Sequence, residues 1–197
     1  LLNISATKVS GSSTSTGSFA TLELVHYGGG VGAATNTSFG QDAGTAITIG
    51  GDNVAIGKGA LTAETIGDRA VAVGTNALVS QVSDSDNEDS LNVGVGHGAG
   101  YYNVTGQNNT YIGGFAGTGA SGQSNSNNTA VGKSALTAIT TGGTNTAVGS
   151  GAGDAVTTAS GSVFVGKDAG GTVTTGNDNI AIGRDSLAGA ATTGDNN

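Results

Sequence analysis

A chain of 197 residues with 38 glycines, 4% aromatic residues and no Pro, Cys, Met or Trp lacks the bulky material of an ordinary globular core, and it has no disulfide framework or thiolate metal site. Its formal charge of -8 and only six basic residues, all dispersed, argue against nucleic acid or an anionic membrane surface as partner. No apolar run reaches the length of a membrane span, so no membrane insertion is expected of this segment.

In chain order, residues 1–30 stand apart as an N-terminal strand-rich connector or cap. Leu2, Ile4 and Ala6 alternate, Ser10 to Ser18 is a Ser/Thr/Gly run, and Phe19 to Tyr27 has strand alternation. Residues 31–197 are then read as one repeat array, expected to continue beyond the given chain, because Ala191 to Asn197 parallels the stretch leading into the unit before it. Aligned on one glycine per unit, the units fall at Gly40, Gly57, Gly74, Gly96, Gly113, Gly132, Gly149, Gly166 and Gly183, mostly 17 residues apart. Two longer steps contain insertions, one acidic from Ser83 to Ser90 and one from Ser121 to Asn127. A fixed phase held this long is the signature of a repeat architecture.

Before each glycine comes Phe39, Ile56, Val73, Val95, Ile112, Val131, Val148, Val165 or Ile182. These bulky strand formers are assigned as the structural core, together with the mostly β-branched residues two positions earlier, on the same strand face. The small residue between them, usually Ala, is then expected to face a sister chain. Small residues three after the glycine imply a crowded turn or a second inward position. Asn four before the glycine suits a corner and a stacked amide ladder. Asn53, Gly57, Asn145, Gly149 and Gly183 are accordingly read as structural turns. Thr141, Thr158, Thr175 and Thr192 suggest a weaker second strand per coil. The fold expected is all-β: a parallel β-solenoid of about nine 17-residue coils, with lateral association making up for a thin interior.

The motif Asn-(Thr/Val/Ile)-Ala-(Val/Ile)-Gly-x-x-Ala resembles the head repeats of trimeric autotransporter adhesins and similar repeats of bacteriophage tail fibres, over roughly residues 36–197. Lys8 to Phe19 also looks like connector sequence of phage fibre proteins. The resemblance implies a left-handed β-roll assembled as a homotrimer on a virion surface or another extracellular surface, mediating attachment to a cell-surface glycan or protein receptor. The exposed Asn, Thr and Tyr residues suit glycan contacts without naming a sugar or a site. The alternative is a self-assembling extracellular filament without a receptor role.

Chemistry is weakly signalled. Gly94-Val95-Gly96-His97-Gly98 repeats with the solenoid and lacks the strand–loop–helix setting of a phosphate loop. His26 and His97 have no partner pattern for catalysis or metal ligation. The hexapeptide acyltransferase pattern fails at Thr62 and Asp154, and no regular Thr-x-Thr array supports ice binding. Asp84, Asp86, Glu88 and Asp89 form a weak calcium candidate, against the simpler reading of a solvated acidic loop. The expectation is a non-enzyme with no catalytic residue and no cofactor.

Overall fold

The computed structural model describes residues 35–85, 88–189 and 193–197. The connector expected over residues 1–30, His26, Asp86 and Thr192 lie outside the described residues. Among the described residues nine three-residue strands follow one another: β1 (Thr37–Phe39), β2 (Val54–Ile56), β3 (Val71–Val73), β4 (Val93–Val95), β5 (Thr110–Ile112), β6 (Thr129–Val131), β7 (Thr146–Val148), β8 (Val163–Val165) and β9 (Ile180–Ile182). They form one parallel sheet in sequence order, so the chain is a β-solenoid. Every pair keeps the same register, and the long steps do not disturb it: Val71 still faces Val93, and Thr110 faces Thr129. The inserted residues are therefore accommodated outside the strands. The segment carrying Thr140, Thr157 and Thr174 also joins coil to coil, through Thr140 N–H to the Thr157 carbonyl and Thr157 N–H to that of Thr174. Among the described residues it forms no second strand in any coil.

The repeated glycine is a backbone requirement. From Gly40 to Gly183 its φ lies between 110° and 141°, which side chains other than hydrogen rarely permit. A Cβ on Gly74 would also sit 2.6 Å from the carbonyl oxygen of Gly96 on the next coil. Glycines thus stack directly on glycines, and the column sets how closely the coils approach.

The interior corrects the core assignment. The central strand residue points inward: Ala55, Ala72, Ala130, Ala147 and Ala181 are buried, as are Tyr111 and Phe164 at the same position. The residues assigned as core point outward instead. Phe39, Ile56, Ile112, Val148, Val165 and Ile182 are exposed, and Val73, Val95 and Val131 are half-buried. Alternation along a strand separates two faces without saying which is inside. Here the small face is inside because the opposite wall of the coil brings its own bulk. Leu61, Leu78 and Leu136, four after the glycine, are fully buried, and Ile139, Val156 and Val173, seven after it, are too. Ala60, Ala77, Ala99, Ala116, Ala135, Ala152 and Ala169 complete the interior, as expected for the position three after the glycine.

In six of the nine coils a large residue on one wall faces a small one on the other. Where the strand centre is Ala55, Ala72 or Ala130, the fourth position is Leu61, Leu78 or Leu136. Coils with Tyr111 or Phe164 in the strand have Gly117 or Gly170 there. A Cβ added at Gly170 would collide with the Phe164 ring, and one at Gly117 with Tyr111. Where both positions are small, as at Gly94/Gly100 and Ala147/Gly153, Leu78 and Tyr111 or Leu136 and Phe164 of the adjoining coils take the space, and the narrow interior reaches close packing.

Asn closes seven of the nine coils and ties them to their neighbours, with Ala70 and Ser162 in its place in the other two. The Asn128 amide donates across its coil to the Gly142 carbonyl (3.0 Å), while its Oδ1 accepts the backbone N–H of Asn145 (3.0 Å). Asn53, Asn109 and Asn145 repeat the arrangement, and Ser162 continues the column by accepting the N–H of Asn179. The amide ladder expected from the sequence is present and buried. Asn128→Ala leaves two buried backbone groups without partners and is expected to cost on the order of 3 kcal/mol. Asn128→Ser should cost less, because Ser162 already serves in the column; urea unfolding of both variants measures the difference.

Candidate interaction surface

The outward strand face carries two apolar columns. One is the residue before each glycine; the other is the Thr, Val or Ile two positions earlier, from Thr37 to Ile180. In-register pairing stacks each column rung upon rung. At about 4.8 Å per rung the stripe is roughly 40 Å long. Its Val and Ile side chains bury flanks against the rungs above and below but leave their tips to water. A continuous stripe of this kind reaches the few hundred Å² at which exposed apolar surface marks an interaction site.

The residues read as structural turns sit where their column demands. Asn53 and Asn145 belong to the buried ladder, and Gly57, Gly149 and Gly183 to the positive-φ glycine column. Ala147 faces the coil interior, which corrects the expectation that the alanine face meets a neighbouring chain.

The calcium candidates face different partners. Glu88 accepts the N–H groups of Asp84 and Ser85 and an amide hydrogen of Gln107, so its carboxylate is taken up in shaping the loop. Asp89 pairs with Arg69, which the bond and the charge hold above the ordinary arginine range. Asp84 is exposed. Among the described residues no three acidic or imidazole groups are gathered as a metal site would need. Elsewhere Asp154 lies near Asp168, and burial, then the Asp168 charge, raise its pKa.

The sequence reading passed over Glu64, which is fully buried. Its Oε1 accepts the N–H groups of Thr65, Ile66, Gly67 and Ser83, and Oε2 accepts the Ser83 hydroxyl (3.2 Å). Four backbone donors converging on one carboxylate oxygen satisfy those N–H groups inside the coil and fix the turn of two successive coils. The periodic comparison could have found it, since it occupies the position filled by Ile139, Val156 and Val173 in other coils.

Tyr111 is the other buried polar side chain of consequence, its hydroxyl bonded to Asn125. Burial pushes its phenol well above the usual tyrosine range. An unfolded tyrosine ionises near pH ~10. Above that pH unfolding releases a proton the folded chain retains, so stability falls as pH rises towards the folded pKa. Chemical denaturation at pH 9 and pH 11 should show this loss, and Tyr111→Phe should reduce it.

No helix of the described residues is long and apolar enough to cross a membrane. Comparison with protein-family models, curated proteins and solved structures gave no match.

Proposed function

We propose that the chain is a structural segment of a surface-attachment fibre, such as a phage tail fibre or a similar adhesin, in which three copies pack their Val/Ile stripes around a common axis and space or present a receptor-binding surface. The observation that carries this reading is the uninterrupted apolar stripe, which a single chain leaves in water. The number three comes from the resemblance to adhesin heads and phage fibres. In this arrangement each chain brings its own backbone ladder and filled interior, and association adds burial of the stripe. The role is mechanical: the rod transmits length and stiffness. No reaction is assigned to it.

Light scattering on the purified chain tests the assembly: three times 18.7 kDa is expected. A stable single chain contradicts it. Open-ended growth at rising concentration favours the receptor-free filament.

A further inference from the structure

One corner of the solenoid differs from all the others. Two residues after each repeated glycine the backbone has positive φ, and eight of the nine coils place Gly, Asn, Asp or Ser there. The ninth has Phe115, at φ 61° and 43% exposed. A bulky side chain in left-handed backbone costs free energy, and in solvent it has no core to offset that cost. The neighbouring coil is shaped around it. Gly98 lies beneath, where a Cβ would be 3.1 Å from the Phe115 ring and 3.8 Å from Tyr101. The His97 ring stands perpendicular to Phe115 with centroids 4.9 Å apart, and Tyr101 and Tyr102 form a second edge-on pair beside it at 4.6 Å. Gly114, next to Phe115, leaves its surroundings open.

In a chain with four Tyr and four Phe, two Tyr and one Phe meet at this one outward corner, so the clustering is not a by-product of abundance. In the two coils of the ledge the residue after the glycine is His97 or Gly114; the coil before has Thr75 there and the coil after has Lys133. His97 and Phe115 follow Val95 and Ile112 of the Val/Ile stripe by two and three residues, across the repeated glycine.

We propose that the ledge of His97, Tyr101, Tyr102 and Phe115 is a binding subsite for an uncharged pyranose ring of a surface glycan. Perpendicular aromatic rings offer a flat floor for the C–H face of a sugar and an upright wall whose imidazole or phenol hydrogen-bonds its hydroxyls. The ledge itself is built of rings and carries no Lys or Arg, a composition that suits a neutral ring better than a phosphate or nucleic acid. The proposal rests on the attachment reading for the source of its ligand.

The test is a printed array of bacterial surface polysaccharides and simple neutral pyranosides, probed with the intact chain and with Phe115→Asn. Asn suits the positive φ, as Asn76 does at the same position, so this variant is expected to keep the oligomeric mass and melting temperature. Binding of at least one pyranose-containing glycan by the unmodified chain, weakened tenfold or more in Phe115→Asn, supports the subsite. Binding that is equal in the two overturns the subsite and leaves the attachment reading standing. No glycan bound by the unmodified chain overturns the subsite too, whereas the attachment assembly itself fails only if the mass is that of a single chain. A lower oligomeric mass in Phe115→Asn would make the ledge a chain-to-chain contact and also overturn the proposal.

Discussion

Val148→Asp is expected to convert the assembled protein into single chains of 18.7 kDa while leaving the solenoid folded. Val148 is 39% exposed and points out of its coil, so an isolated chain can hydrate the new carboxylate. In a trimer built on the stripe three such carboxylates would be brought out of water near one another, and each unpaired buried charge costs several kcal/mol. Circular dichroism should therefore retain its β signal while the mass falls threefold. Ala147→Asp, one residue earlier, should behave differently. Ala147 is fully buried, in register between Ala130 and Phe164 of the adjoining strands, and a carboxylate there should unfold the coil before assembly becomes a question. The contrast between adjacent positions distinguishes an outer face from an inner one.

The second large effect concerns the interior. Phe164→Ala should destabilise the chain by about 3–5 kcal/mol, because it removes a fully buried ring from a coil whose facing position is Gly170. Gly170→Leu alone should also destabilise, since its side chain would enter the volume of the Phe164 ring. Combined, the two changes recreate the pairing of Ala130 with Leu136. The backbone accepts it: Leu136 has φ 50° and Gly170 has φ 69°. The double variant should recover at least half of the loss, and strong non-additivity in urea unfolding is the diagnostic. Additive losses would mean that the two positions do not share one volume.

Much of this architecture could be read from the sequence because it depends on backbone chemistry repeated every coil. A glycine forced to positive φ and an Asn bonded to the next Asn leave the same letter at the same phase, so Gly149 and Asn145 declared their columns. Which strand face lies inward was not legible in the same way. Val148 and Ala147 alternate equally well with either one inside, and the rule that bulky residues are buried pointed to the wrong face. The answer is set by the opposite wall of the coil, where Leu136 and Ile139 supply the bulk. Part of that signal is present in the sequence, since every Leu at the fourth position faces an Ala and both aromatic strand centres face a Gly, but it emerges only when two positions are compared across coils. Glu64 and the ledge at Phe115 were harder still. Each occurs once, and single departures from a repeat acquire meaning only when their spatial neighbours are known.

The stripe itself is tested most directly by placing thiols in a chain that has none. Val148→Cys puts one on the stripe, and Thr158→Cys puts one on an exposed position outside the strand. Under mild oxidation Val148→Cys should form covalent dimers within the assembly and resist labelling by a soluble maleimide, while Thr158→Cys should label freely and remain uncrosslinked. Free labelling of Val148→Cys, with no covalent dimer, would contradict assembly through the Val/Ile face.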